Sequence, residues 1–218
     1  VKIISDDTLE DSPQENIAIE DETEIEEGDL DAEKERRAKY RQYKMPTLEF
    51  LNDPVEIRNT HSEEELKEKA NWLRLQVLKT AKKTGGKGSH LGGTFSCIEL
   101  LVSLYFGGIL KFDPSNPKWI DRYRFLVGKG HVHLALFHIW ADLGFIDNSI
   151  LDSYGKNGSL LGQQLNISIP GSEYNTGSLG HVIGIGAGMA LAAKLDKKKY
   201  YTISLVGDAE CDEGSIWE

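Results

Sequence analysis

The first sustained periodicity along the chain lies at Leu66, Ala70, Leu73, Val77 and Ala81. Steps of three and four place these apolar residues on one face of a helix. Ser62, followed by Glu65, gives that helix a capping box: the hydroxyl accepts the N3 amide while the carboxylate reaches back. Thr84-Gly85-Gly86-Lys87-Gly88-Ser89 breaks it. A second apolar helix is predicted from about Ser96 to Phe106, and Asp113-Pro114 ends the turn after it. Arg124 to Val127 is a short apolar run, read as a buried strand, and it leads straight into Gly128-Lys129-Gly130-His131. A third helix follows over about His133 to Leu143, then a Gly- and Asn-rich loop from Gly155 to Gly177. The next helix, about Leu179 to Leu195, is crowded with small residues (Gly184, Gly186, Gly188, Ala190, Ala192, Ala193). A second strand, read as buried from Ile203, Leu205 and Val206, is predicted within Lys199 to Val206 and ends at Gly207-Asp208-Ala209.

Strands alternating with helices indicate an α/β fold, a parallel sheet flanked by helices. In such sheets ligands sit outside the carboxyl ends of the strands. Both predicted strands end in Gly-containing loops that carry a polar side chain, so the expected site lies there.

Composition and charge then divide the chain. Its 218 residues, 39% apolar and 28% charged, supply material for a real core. No run reaches the roughly 18 uncharged apolar residues of a membrane span, and Val1 to Asp7 lack the basic start and apolar centre of an export signal. Cys97 and Cys211 cannot build a disulfide framework and have no partner at metal-ligand spacing, so both read as reduced thiols of a cytoplasmic protein. Residues 1–33 hold fourteen acids against one base, Lys2, leaving 24 bases and 21 acids for the rest. The acidity therefore belongs to a tail, and the near-neutral body argues against nucleic-acid binding. The tail has no aromatic residue and no periodicity, so it cannot offset its ordering entropy. We expect residues 1–44 to be a disordered acidic tail with a basic lead-in (Arg36, Arg37, Lys39, Arg41, interleaved with Tyr40 and Tyr43), 45–61 a linker, and 62–218 the folded domain.

Three superficial motifs lose their force on inspection. Gly85-Gly86-Lys87-Gly88-Ser89 lacks the spacing of a phosphate loop and follows no strand. Gly184-x-Gly186-x-Gly188 lies inside a helical pattern, where close helix packing accounts for it better than dinucleotide binding. His131, His133 and His138 have no Cys or carboxylate cluster to complete a zinc site, and the last two read as helix-face histidines. The residues that remain form a constellation. Asp208 stands past a strand end, where a carboxylate can share a hard divalent cation with phosphate oxygens. Gly207 and Ala209 leave the backbone open to a phosphate, and His90 and His131 lie in Gly-flanked loops. Gly177-Ser178-Leu179-Gly180 is expected to open a helix whose free amides suit an anion.

In order and spacing these segments resemble the thiamine diphosphate-binding, N-terminal domain of transketolase, over about Ala70 to Glu218. Gly88-Ser89-His90-Leu91-Gly92 is similar to the family's S-G-H-P-G segment, and Phe112-Asp113-Pro114 through Asp121-Arg122 and Phe125-Leu126-Val127 to its N-P…R-D-R-F-x-L-S stretch. Gly130-His131 matches the G-H after that strand, and Thr176-Gly177-Ser178-Leu179-Gly180-His181 looks like T-G-[PS]-L-G-[QH]. Gly207-Asp208-Ala209-Glu210-Cys211-Asp212-Glu213-Gly214 through Trp217-Glu218 is close to the form found in transketolases split into two subunits.

The resemblance implies that Asp208 binds the Mg²⁺ bridging to the cofactor diphosphate and that the Gly207–Ala209 backbone contacts phosphate. It implies that His131 hydrogen-bonds the diphosphate, His90 faces the reacting sugar hydroxyls, and Gly177 and Leu179 line the cofactor rings. Glu213 would join the carboxylates that link paired active sites across the family's dimer interface. The implied reaction transfers a two-carbon ketol unit from a ketose to an aldose, with sugars or sugar phosphates as substrates.

Three departures from the family bear on this. An ungapped count back from Gly177 puts Gln163 where the family has a substrate-facing histidine, and an amide cannot titrate near neutrality. The Asn that completes the family's metal motif would fall beyond Glu218, so the domain is expected to be incomplete at its C-terminal end. The glutamate that activates the cofactor lies in the family's pyrimidine-binding domain, so a hetero-oligomer with a C-terminal, pyrimidine-binding partner subunit is expected. Two other readings stay open: a related transferase acting on an unusual sugar, and a non-catalytic homologue that uses its charged tail as an interaction module.

Overall fold

The capping box predicted at Ser62 forms in full: Glu65 N–H donates to Ser62 Oγ at 3.3 Å and Ser62 N–H to Glu65 Oε2 at 2.6 Å. These residues belong to a computed structural model that describes Lys34 and residues 61–218. The acidic tail, basic lead-in and linker expected over 1–61 lie outside the described residues, Lys34 and His61 apart. Helix α1 (Glu63–Lys83) buries Ala70, Leu73, Val77 and Ala81, while Leu66 is half-buried. A short helix α2 (Leu91–Phe95) precedes α3 (Ile98–Phe106), and strand β1 (Arg124–Val127) follows. Helix α4 (His133–Leu143), helix α5 (Val182–Leu195) and strand β2 (Thr202–Leu205) complete the regular elements.

β1 and β2 pair in parallel, with Arg124 opposite Thr202 and Val127 opposite Leu205. This is the α/β arrangement that the alternating pattern predicts, a parallel sheet flanked by helices. β1 is buried from Phe125 onward, but β2 is only half-buried along its length. The reading of Ile203, Leu205 and Val206 as a buried strand is therefore corrected: among the described residues β2 has one strand neighbour and packs chiefly against α5. The close-packing account of the glycines in α5 holds at Gly186, where an added Cβ would come within 2.6 Å of Ser204 Oγ on β2. At Gly184 and Gly188 an added Cβ would meet nothing within 4 Å.

The core lies between α1, α3, α4 and β1. Trp140, Phe137, Leu101 and Ile98 are all but inaccessible there, and Trp140 Nε1–H donates to Tyr105 Oη at 3.0 Å. No described helix is long and apolar enough to cross a membrane.

The two histidines on α4 are structural, as their helical spacing suggests. His138 Nε2 lies 2.9 Å from Thr80 Oγ1, and His133 Nε2 lies 2.9 Å from Tyr154 Oη. The Tyr154 hydroxyl in turn donates to the Gly88 carbonyl at 2.8 Å. Burial holds His138 down at about 4. It does the same at His133, against the opposing pull of the Gly130 carbonyl. Unfolded chain takes up both protons as pH falls through about 6.5, whereas folded chain does so only near 4. In that window the unfolded state binds more protons, so stability falls with pH, by about 2 kcal/mol per histidine between pH 7 and pH 5. Replacing His138 with Gln keeps a hydrogen-bonding partner for Thr80 and removes one titrating group. The melting-temperature difference between pH 7 and pH 5 is then expected to shrink, and an undiminished difference would show that His138 is not part of the acid response.

Candidate functional site

Just past the carboxyl ends of β1 and β2 lies a cavity of about 310 Å³. Gly92, Gly93 and Ser96 line it from one side in sequence, Lys129 and His131 come from the loop after β1, and Gly207, Asp208, Ala209 and Glu210 from the loop after β2. Leu179 completes the lining. Residues far apart in the chain meet here because parallel strands deliver their C-terminal loops to one edge.

Each loop is shaped by close approach. His131 sits in the 3-10 turn Gly130–Val132, and an added Cβ on Gly93 would come within 2.8 Å of its Cδ2 and Nε2. The ring needs the space that a glycine leaves. Burial lowers the His131 pKa, and the neighbouring His90 and Lys129 lower it further, while Glu210 pulls the other way. A neutral imidazole results at neutral pH, with one N–H to donate. The His90 ring centroid lies 5.4 Å from that of His131 and 6.3 Å from that of His133.

Glu210 ties two of the loops together. Its side chain is buried, one carboxylate oxygen accepting the Gly180 N–H at 2.9 Å and the other the Gly207 N–H at 3.0 Å. An added Cβ on Gly128 would fall inside this carboxylate, which explains a glycine at the end of β1. The contact also corrects one expectation. Gly177 to Gly180 does not open the helix: Gly180 has φ +88°, a left-handed conformation, and α5 begins at Val182. The Gly180 amide is thereby taken by Glu210 and is not offered to a ligand.

The residues singled out in the sequence divide by position. His131, Leu179, Gly207, Asp208 and Ala209 line the cavity. His90 is not in the lining; it is exposed, N-terminal to α2, with its ring beside that of His131. Gln163 is exposed and packs on Gly88, where an added Cβ would meet its Cγ at 2.8 Å. That places its amide beside the loop carrying His90. Gly177 is exposed with φ +148° and lies outside the lining, and so does Glu213, also exposed, which packs against Gly180. Sequence reading missed Glu210, Lys129, Ser96 and Gly93. The available signal was an acid two residues after Asp208, and a lysine between two glycines at a strand end.

A larger cavity of about 850 Å³ lies elsewhere, lined by loop residues that include Asn116, Lys118, Arg122, Ile167 and Glu173. Its two most buried charges satisfy each other, Arg122 Nη2–H donating to Glu173 Oε2 at 2.7 Å. Lys118 is an exposed cation there, whereas the strand-end cavity brings together charges of both signs, Asp208 and Lys129, neither in an ion pair among the described residues. No group of three or more His, Cys, Asp or Glu side chains converges as a metal centre among the described residues. A cation held here would draw ligands from Asp208 and from the bound molecule.

The chain resembles known proteins along most of its described length. Residues 66–215 match the family model described as transketolase, thiamine diphosphate binding domain. The chain is 43% identical over 154 residues to one subunit of the apulose-4-phosphate transketolase of Phocaeicola vulgatus, covering 71% of this chain and 53% of that one. It is 36% identical over 155 residues to the 6-deoxy-6-sulfo-D-fructose transketolase subunit SqwG of Clostridium sp., covering 71% and 55%. The chain thus spans about half the length of the curated relatives it matches. Among solved structures, transketolase from Campylobacter jejuni superposes with a TM-score of 0.66 at 26% identity, over 72% of this chain and 26% of that one.

Proposed function

Since the chain belongs to the transketolase family through its thiamine diphosphate-binding domain, we propose that it is the N-terminal subunit of a two-subunit transketolase, holding the cofactor diphosphate with Mg²⁺. The observation that carries this is the meeting of Asp208, His131 and the glycine backbone of Gly92 and Gly207 in one cavity at the strand ends. Those residues fit the group. Glycines leave room for phosphate oxygens to approach the main chain, and a single exposed carboxylate suits Mg²⁺, which takes one or two carboxylates and completes its shell with phosphate oxygens. When bound, the cofactor supplies the electron sink for two-carbon transfer, and the protein supplies position and charge.

Asp208 would take the cation and the Ala209 amide a phosphate oxygen, the Gly207 N–H being held by Glu210 as the Gly180 N–H is. His131, neutral because it is partly buried beside Lys129 and His90, donates its one N–H to the diphosphate. His90, exposed beside His131, meets the sugar hydroxyls, while Leu179 and the Gly177 turn bound the ring-binding side. Glu213, on the surface, faces the second half of the assembly, a subunit carrying the pyrimidine-binding domain. Both cysteines are free thiols, in keeping with a reducing, cytoplasmic setting.

The substrate is read as a sugar phosphate or related sugar of modified skeleton. Gln163 beside the His90 loop offers an amide where the family has an imidazole, and the two relatives above are named for apulose 4-phosphate and 6-deoxy-6-sulfo-D-fructose. The test combines the chain with the pyrimidine-binding subunit from the same source and assays transfer from ordinary ketose phosphates and from these two sugars. Activity is expected only with both subunits, thiamine diphosphate and Mg²⁺, and inactivity of the full mixture on every sugar would contradict the proposal. Gln163→His is expected to move preference toward ordinary ketose phosphates by several-fold, on the order of one hydrogen bond. An unchanged preference would remove Gln163 from the substrate site.

A further inference from the structure

Lys129 lies in the loop after β1, is 8% exposed and lines the cavity. Its Nζ donates to Ser96 Oγ at 3.1 Å, and the Ser96 hydroxyl spends its own hydrogen on the Gly93 carbonyl at 3.0 Å. Ser96 is thus a neutral acceptor for the ammonium. Among the described residues no carboxylate lies within ion-pair distance of Lys129, and two of its three N–H donors have no protein acceptor.

The acids nearby are otherwise engaged. Glu210 flanks the same glycine, Gly207, but commits both carboxylate oxygens to backbone amides. The thiol of Cys97 is pushed up to about 11 by burial, so it stays neutral. An ammonium that no carboxylate contacts directly, set on the wall of a cavity, is left to pair with something that enters. The occupant must be an anion, and its oxygens must reach a cavity also lined by Asp208. An anion alone would be repelled by that carboxylate. A diphosphate arriving with a divalent cation satisfies both, the cation on Asp208 and a phosphate oxygen on Lys129.

We propose that Lys129, steadied by Ser96, is a direct ligand of the diphosphate group. The proposal rests on the transketolase reading above and adds a fixed cation to its site. Lys129 donates charge-assisted hydrogen bonds to a non-bridging phosphate oxygen, which are roughly twice as strong as neutral ones. It thereby favours the diphosphate form of the cofactor over thiamine, which has no phosphate to accept these bonds.

The probe is inorganic pyrophosphate with Mg²⁺, titrated calorimetrically into the full chain, so that the diphosphate half is read without the partner's domain. Lys129→Met keeps the buried aliphatic stem and is expected to weaken binding at least about tenfold. Lys129→Arg keeps the charge and is expected to stay within about threefold of the parent chain. Thiamine, lacking phosphate, is expected to bind the parent chain and Lys129→Met alike. Should Lys129→Met fail to fold, the Lys129 ε-methylene resonance of the unsubstituted protein decides: it is expected to shift on adding magnesium pyrophosphate. Equal affinity of Lys129→Met and the parent, an unmoved resonance, or no pyrophosphate binding by the parent would each overturn the proposal. Failure of the transketolase reading looks different: pyrophosphate binding would still depend on Lys129, but the chain with its partner subunit would transfer no ketol unit.

Discussion

Asp208→Ala is expected to abolish magnesium-dependent binding of thiamine diphosphate and to leave the fold standing. The side chain is exposed, beyond the end of β2, and makes no hydrogen bond or ion pair with the described residues. Its removal therefore costs the folded state little, within about 0.5 kcal/mol as for other unengaged surface positions. Its effect on binding should be large because, among the described residues, Asp208 is the one carboxylate lining the cavity that is free to reach a cation, Glu210 being spent on backbone amides. Without it, the diphosphate brings its negative charge into the site with no protein anchor for the neutralising Mg²⁺. Calorimetric titration with and without Mg²⁺ checks this. In the parent chain Mg²⁺ should strengthen binding, and in the variant it should make no difference. A variant that kept the full Mg²⁺ effect would move the metal site elsewhere.

The second large effect is expected at Glu210, and it is one of architecture. Its two oxygens hold the Gly180 and Gly207 amides at 2.9 and 3.0 Å, joining the loop before α5 to the loop after β2. In Glu210→Ala both buried amides lose their acceptor, at about 1–3 kcal/mol each, so stability should fall by several kcal/mol. Glu210→Gln is not a rescue, since its NH₂ would face one of the two N–H donors. Gly128→Ala should reproduce much of the defect from the other side, because its methyl group would occupy the place of the carboxylate. Thermal unfolding of the three variants, followed by cofactor titration of those that fold, tests the idea. If Glu210→Ala melted with the parent chain, the carboxylate would not be the tie between these loops.

How much of this was legible in the sequence depends on how far apart the cooperating residues lie. Helix α1 was readable because its signals are local: a capping box three residues wide and apolar steps of three and four. Asp208 and His131 were readable for a similar reason. Each stands a few residues past a strand end, and a parallel sheet sends every such position to one edge. Glu210 stood within its motif without a role, because that role depends on Gly180, thirty residues earlier, and on the absent side chain of Gly128. Lys129 stood in view between Gly128 and Gly130. Only burial distinguishes it from a solvated surface lysine, and burial is a tertiary fact. The start of α5 was placed three residues early because a positive φ at Gly180 has no signature in the apolar pattern. β2 was read as buried from Ile203, Leu205 and Val206, although that composition does not say how many neighbours cover a strand.

The central claim is that the cavity at the strand ends holds the cofactor diphosphate. It is tested most directly by following backbone amide resonances of the labelled chain while thiamine diphosphate and Mg²⁺ are added. The largest shifts are expected on Gly92, Gly93, Lys129, His131 and Gly207 to Glu210. Shifts gathered instead around Asn116, Lys118 and Ile167 to Glu173, in the larger cavity, or no shifts at all, would contradict it.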